Sequence, residues 1–460
     1  MKKSTKETSG ITIIALVITI IILLILVGVS INRISGDEAL LMQAKQAKEE
    51  HKKADIIERL QIEILASYDS NANISIDLLN KNLKNISNLK FNNEELSESN
   101  RISILPAVVE IDGLKLGIDT NGEVVLYIES GKTYDIETRV AINDKIITIP
   151  SGATVSGIEG EYEDLNSGLV IYMTQGKKIT NWNDDVLEKY DQFVFVPLKH
   201  AILDLSDSES NDSSYFTEKI NELIKEDIYP MAIKKNDNNY ISILYNFSKD
   251  ETTSEVKVNT YSNNYTEEPA ISSAYDNNNT LLEINGIIEN KYTSLEEFKK
   301  TLQEDFNKMV ERVDQIGGFW IGRYETSNMS NETTTTYDES NKIKVNIVKG
   351  TTNGISNITW YRMYAQEKIY ADSIETSFSS NMIWGCQWDQ VMIWLKDIDN
   401  SSQNTKYILN GLRMGNYNSG VIRNTGYYKT RNIYDLGGNV SEWTMERNGG
   451  KRTDRRWIWY

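Results

Sequence analysis

The chain is poor in the residues that carry most metal and redox chemistry. Its 460 positions hold one cysteine, Cys386, and two histidines, His51 and His200. A single thiol closes no internal disulfide, and a zinc finger needs several such ligands at fixed spacing, so thiolate and zinc chemistry are excluded. Positive charge is also short. Lys and Arg number 49 against 66 Asp and Glu, a formal net charge of -17. Such a surface repels a polyanion, which excludes nucleic acid as the main ligand. No glycine-rich nucleotide loop occurs, and a Ser-His-Asp constellation has only His51, on an N-terminal helical stretch, and His200 to draw on. His200 reads as a surface or packing residue. With five prolines and 40% hydrophobic residues the chain is neither collagen-like nor disordered, and long polar loops on ordered cores fit best. At about 150 residues per domain, the length implies two or three modules.

What the sequence does hold begins with an unbroken apolar and small-residue run from Ile11 to Ile31. At about 1.5 Å per residue it reaches roughly 31 Å, enough to cross a hydrocarbon core. Lys2, Lys3 and Lys6 stand before it against one acid, Glu7, and positive flanks stay cytoplasmic. The expectation is a single-pass protein of the cell membrane with its C-terminal bulk outside. A cleaved signal peptide would have a shorter apolar core and a small-residue cleavage site after it, whereas this run continues into charged helical sequence.

The junction Ser9-Gly10 before Ile11-Thr12-Ile13-Ile14-Ala15-Leu16 resembles the processing site of type IV pilins and pseudopilins. The resemblance implies cleavage after Gly10 by a prepilin peptidase, with Ile11 as the new N-terminus, and other pilin-like subunits as partners. It covers about the first 65 residues, because Asp37 to Leu65 continues as an amphipathic helix with Leu40, Ala44, Ala47, Ala54, Ile57, Leu60 and Ile64 near one face. Residues 1–10 are then a leader and 11–68 a stem helix. Ala15 departs from the family, which usually carries glutamate there to pair with a neighbouring subunit, and this weighs against filament assembly. A plain, unprocessed signal anchor is the alternative.

Over 69–146 the sequence predicts a short helix with Ile76, Leu79, Leu83 and Ile86, a loop, and three strands divided by Asp112-Gly113 and Asn121-Gly122. This small β meander resembles a minor pilin head and reads equally as an inert spacer. A third unit, 147–460, opens with strands at Gly168–Tyr172 and Gln192–Pro197 and carries polar insertions near 204–214 and 248–280. Its best helix runs from Ser294 to Ile316, with Ser294 and Glu297 as a capping box and Gly317 as its stop. The apolar stripe of that helix is core.

Further on stand Gly318-Phe319-Trp320-Ile321-Gly322-Arg323-Tyr324-Glu325, then Asn357-Ile358-Thr359-Trp360, a helix around Trp384 to Leu395, and Asn432-Ile433-Tyr434-Asp435-Leu436-Gly437-Gly438-Asn439-Val440-Ser441-Glu442-Trp443. In this order, with Phe193 to Pro197 before them, they resemble the formylglycine-generating enzyme, or sulfatase-modifying factor, family. The last motif is the specific one. The resemblance implies an irregular mixed fold like a C-type lectin domain, so the fold class expected overall is α+β. It implies a calcium site with side-chain oxygens from Asp435 and Glu442 and main-chain oxygens from Gly438 and Val440, hard ligands suited to that ion. Asn439 tolerates the bend, and Trp443 can bury a large apolar surface beneath the loop. The other reading of the turn is that both carboxylates bond the loop's own amides. Arg323 and Glu325 read as a salt-bridged pair on a strand face.

Enzymes of that family use a pair of cysteines, which bind copper as soft thiolates, and this chain has only Cys386, read as a lone buried thiol. The expected protein is therefore not an enzyme and takes no copper, zinc or nucleotide. The family also continues past its Glu-Trp motif through an Arg-Gly-Gly segment, whereas this chain stops at Tyr460, which implies a shortened C-terminal end. The functional expectation is a surface protein presenting an adhesin-type domain to a glycan or protein surface. A structural minor pseudopilin without a ligand is the alternative.

Overall fold

The computed structural model describes residues 37–204, 213–235, 239–253, 255–260, 278–288, 292–328, 345–347, 349, 359–374, 379–400, 405–406, 408, 429–436, 442–448 and 451–455. Helices and several small, mostly antiparallel sheets make it a mixed α+β fold. The chain divides into two compact units, Met1–Arg101 with Glu110–Leu114, and Ile102–Val109 with Lys115–Tyr460.

The first unit holds helix α1 (Asp37–Leu65), helix α2 (Ile76–Leu83) and a tight hairpin of β1 (Leu89–Phe91) and β2 (Glu94–Glu95). Among the α1 side chains described, from Met42 onward, the buried apolar ones are Ile56, Leu60 and Ile64 in its C-terminal half, four residues apart on one face. The expected stripe is thus corrected: Ala44, Ala47 and Ala54 are exposed, their methyl groups offering little area for a partner to cover. Ser75 caps α2 by accepting from the Leu78 amide at 3.4 Å. The stretch expected as plain loop after α2 holds the hairpin instead. Asn92 and Asn93, at φ 51° and 65°, supply the positive φ pair its turn requires.

The expected meander follows in the chain, β3 (Ala107–Ile111), β4 (Leu114–Ile118) and β5 (Val124–Leu126), neighbours in that order, with Glu110–Leu114 counted in the first unit and the rest in the second. Next come β6 (Thr133–Tyr134), the hairpin β7 (Thr138–Ile142) and β8 (Lys145–Ile149), β9 (Ala153–Val155), β10 (Val170–Met173), helix α3 (Asp184–Lys189) and β11 (Gln192–Pro197). Strand β12 (Ile202–Asp204), helix α4 (Ser213–Lys225), and strands β13 (Ala232–Lys235), β14 (Asn239–Ser242), β15 (Tyr245–Lys249) and β16 (Val256–Thr260) follow. Strand β16 buries Val258, so the segment expected as a polar insertion contributes to the core. Helix α5 (Asn278–Asn285) precedes α6 (Leu295–Ile316), which Ser294 caps by accepting from the Glu297 amide at 3.2 Å and Gly317 ends at φ 70°, as expected, whereas the Glu297 carboxylate accepts from the Thr293 amide at 2.7 Å instead of closing a capping box on Ser294. The chain then enters β17 (Gly318–Gly322).

A central antiparallel sheet has the order β17-β11-β10-β9-β6. Strands β10 and β11 are buried almost throughout, and alternate residues serve two different cores. Val170, Tyr172, Val194 and Val196 join the core that takes Phe298, Leu302 and Phe306 of α6. Ile171, Met173, Phe193 and Phe195 join a second core with Val140, Ile142, Ile147 and Ile149 of the β7–β8 hairpin.

Two further helices complete the α6 side, α7 (Trp360–Ser373) and α8 (Gly385–Leu395). The second lies where expected and buries Cys386. The first is missed by sequence periodicity, because Trp360, Tyr364, Ala365, Arg362 and Gln366 are all buried and no apolar stripe stands apart from a polar face. Among the described residues no helix is long and apolar enough to cross a membrane, and the run Ile11–Ile31 lies outside them.

Candidate functional site

Directly after β17 the sequence Arg323-Tyr324-Glu325-Thr326 separates two environments. Arg323 is 1% exposed and forms a buried ion pair with Glu161 through its Nη2, corrected from the expected partnership with Glu325. Its Nη1 donates to Gln192 Oε1 at 2.8 Å, to the Tyr172 hydroxyl at 3.1 Å and to Glu161 Oε2 at 3.2 Å. Its Nε donates to the Asn432 carbonyl at 3.1 Å. Ser156 Oγ donates to Glu161 Oε2 at 2.7 Å. Both charges are therefore hydrogen-bonded as well as paired, the condition under which a buried pair persists.

The C-terminal motif packs onto this cluster through a turn of unusual backbone. Arg431, Asn432 and Asp435 all have positive φ, at 45°, 64° and 57°. Asn432 is held there by its side-chain amide, which donates to the carbonyls of Gly160, Ser167 and Gly168 at 3.0, 3.1 and 2.8 Å. The Tyr434 ring stacks on Tyr324, with centroids 4.8 Å apart and planes 19° apart. The Arg323 guanidinium lies 5.7 and 5.4 Å from the two ring centres, so it also serves them as a cation–π partner.

On the other side lies a cleft of about 1170 Å³, bounded by α6, β17, α7, the segment Ser379–Trp388 and Ile433–Leu436. Its walls are aromatic, from Trp320, Tyr324, Tyr434, Trp384 and Trp388. Three polar atoms of the lining have no hydrogen-bond partner among the described residues: the Tyr324 hydroxyl, Asn381 Oδ1 and Trp384 Nε1. Tyr324 and Trp384 are 3% and 0% exposed. A buried polar atom left unpaired costs about 1–3 kcal/mol, and all three atoms lie beneath the accessible surface of the wall. Burial also pushes the Tyr324 hydroxyl well above its ordinary range, which keeps its proton available.

Glu367 of α7 lines the same cleft. Burial pushes its carboxyl up to about 7; the Thr326 hydroxyl, donating to Oε1 at 2.9 Å, pulls it back, and the charge of Asp191 adds to the rise. Asp191 is itself occupied by the Tyr370 hydroxyl and the Ile347 amide, each at 2.7 Å. Lys368 is tied to Asp305 at 2.6 Å, and Arg312 to Glu137. The arrangement sets aromatic walls beside one carboxyl poised near neutrality.

Of the residues the sequence singles out, Arg323, Glu325 and Asp435 fall among those described. Arg323 belongs to the buried cluster, Glu325 lines the cleft, and Asp435 is fully buried. Gly10, Ile11, Gly438, Asn439 and Val440 lie outside the described residues, and Glu442 and Trp443 are described in their backbone, paired with Arg455 and Asp454. No cluster of three or more His, Cys, Asp or Glu able to hold a metal gathers among the described residues. Sequence reasoning misses Glu161, Glu367 and Asn381. Glu161 meets Arg323 and Glu367 meets Thr326 across long stretches of chain, and Asn381 is a lone polar residue of the cleft wall, so no local spacing signals any of them. Comparison with protein-family models, with curated proteins and with solved structures finds no match to this chain.

Proposed function

We propose that this is a membrane-anchored surface protein whose second unit, a sulfatase-modifying-factor-type domain of C-type-lectin-like fold, binds a ligand in the cleft beside β17 and carries out no catalysis. The anchor is supported by the apolar run Ile11–Ile31 and its lysine flank, and pilin-like processing by Gly10 and Ile11. Formylglycine generation is disfavoured by the single cysteine. One observation carries the binding reading: a cleft of about 1170 Å³ is walled by the aromatic residues Trp320, Tyr324, Tyr434, Trp384 and Trp388 and carries polar and charged residues in its lining. Calcium, held by Asp435 and Glu442 with the carbonyls of Gly438 and Val440, is proposed as a structural ion of the neighbouring turn.

A second reading, a structural pseudopilin, draws on α1, which leaves Met42, Ile62 and Leu65 exposed at 72%, 56% and 69%. Such residues suit helix packing against like subunits.

The test is membrane fractionation with surface proteolysis of intact cells, followed by glycan and protein arrays probed with the full-length chain in detergent. Membrane recovery, external cleavage and array binding that is weakened by Asn381→Ala support the proposal. Recovery in the soluble cytosol overturns the anchor, and silent arrays with crosslinked α1 helices favour the pseudopilin.

A further inference from the structure

We propose that β17 is a docking edge: an extended segment of a partner polypeptide, carrying lysine or arginine side chains, enters the cleft and pairs with Trp320 and Gly322 as a sixth strand. This rests on the reading of the cleft as a binding site and names the chemistry of the partner.

Strand β17 stands last in its sheet and is bonded to β11 alone. The ladder fixes which of its residues face outward. Continuing the β11–β17 register at its two ends, the Leu198 amide donates to the Gly317 carbonyl and the Arg323 amide to the Gln192 carbonyl, each at 2.9 Å. Bonded positions recur at every second residue of an antiparallel pair, so Phe319 and Ile321 turn their amide and carbonyl groups to β11. Gly318, Trp320 and Gly322 turn theirs the opposite way. Among the described residues none bonds the backbone of Trp320 or Gly322. Gly318 is buried, whereas Trp320 and Gly322 are partly exposed, and since Gly322 has no side chain the surface it exposes is backbone.

All five residues of β17 line the cleft, at about 3.4 Å each roughly 17 Å of edge. Backbone donors and acceptors spaced at the repeat of a strand are met by another strand. A second copy of this chain is a poor occupant. Its own β17 is recessed between the same walls, α6, α7 and Ser379–Trp388, and two recessed edges do not meet. A single extended segment passes between those walls.

Charge selects among such segments. Lys368 is paired with Asp305 and Arg312 with Glu137, which leaves Lys308 on the lining against Glu311, Glu325 and Glu367. Even with Glu367 protonated, two acids stand against one base. The whole chain has a net charge of -17, so a basic segment is drawn in and an acidic one repelled.

The experiment is fluorescence anisotropy of the full-length chain in detergent micelles with a labelled, end-capped heptapeptide, Lys-Val-Thr-Val-Lys-Val-Thr. One control peptide has Glu for each Lys, and two more carry N-methyl groups on alternate backbone nitrogens, one peptide for each phase. Residue-resolved amide exchange reads the protein side, and no variant protein is needed. The proposal expects the lysine peptide to bind, the acidic peptide to bind at least tenfold more weakly, and N-methylation in one phase alone to weaken binding at least tenfold. Exchange should slow at Trp320 and Gly322 and stay unchanged at Phe319 and Ile321, which β11 already holds. Equal effects of N-methylation in both phases, or none in either, overturn strand addition and leave the cleft as a binding site. Peptide binding without protection of Trp320 and Gly322 overturns the assignment to β17, and equal or tighter binding of the acidic peptide overturns the basic partner. No binding of any peptide overturns the proposal, and the reading of the cleft as a binding site falls with it only when the glycan and protein arrays are silent as well.

Discussion

Arg323 and Glu161 lie 162 positions apart and meet as a buried ion pair, their side chains 2% and 7% exposed. The pair fastens the strand that leads into the cleft to the loop before β10, while the Arg323 carbonyl accepts the Tyr434 amide at 2.8 Å. Removing either partner leaves the other charged and buried. Arg323→Met or Glu161→Leu alone is expected to cost about 3–5 kcal/mol, and the double variant less than the sum of the two. Urea denaturation of the four chains measures this. Single losses below about 1 kcal/mol, or strict additivity, would show that the pair does not hold the site together.

The turn at Asn432 makes a second demand. Asn432→Ala loses three contacts to backbone carbonyls and places alanine at φ 64°, so a loss of about 2 kcal/mol or more is expected. Gly168→Ala tests the same junction from the other side. Its φ is +91°, and a Cβ would stand 2.1 Å from the Arg431 carbonyl oxygen. Thermal melts of both variants should fall together, and wild-type stability in Gly168→Ala would contradict this packing.

Glu367 gives the protein a pH dependence of known sign. Its pKa rises from 4.5 to about 7 on folding, so between those values the folded chain keeps a proton that the unfolded chain has lost. Stability contributed by the neutral carboxyl is full below about pH 4.5 and is lost as pH rises through 7. Glu367→Gln keeps an acceptor for Thr326 and removes the ionisation. At pH 8 it should stabilise the protein by on the order of 1–3 kcal/mol, and at pH 4.5 by little. Equal effects at both values would contradict the assignment.

Calcium distinguishes the two readings of the Asp435 turn. An ion bound only by the folded state raises the melting temperature with its concentration. Millimolar calcium should therefore raise it, and Asp435→Asn should abolish the rise. An unchanged melt in the wild type removes calcium from the account and leaves the carboxylates bonding their own loop.

Much of the local structure was legible in the sequence. The Ser294 cap, the Gly317 stop and the stripe between them specify α6, and Asp112-Gly113 and Asn121-Gly122 place the meander turns. Such signals work because cap and turn geometry depend on a few adjacent residues. The buried cluster was not legible, since nothing near Arg323 distinguishes Glu325 from the distant Glu161 as its partner. Helix α7 escaped for a different reason, its polar Arg362 and Gln366 being as buried as its aromatics. Of the cleft, the sequence showed the strand carrying Trp320 and the motif carrying Tyr434. The remaining wall, with Glu367, Asn381 and Trp384, is assembled only by the tertiary fold.

The most direct test of the cleft as the binding site is amide hydrogen exchange of the full-length chain with and without a saturating concentration of the lysine-bearing heptapeptide. Slower exchange in residues 318–328 and 379–388, with the first unit unchanged, is the expected result. Unaltered exchange in both segments with the peptide present, or protection confined to residues outside the cleft walls, would contradict it.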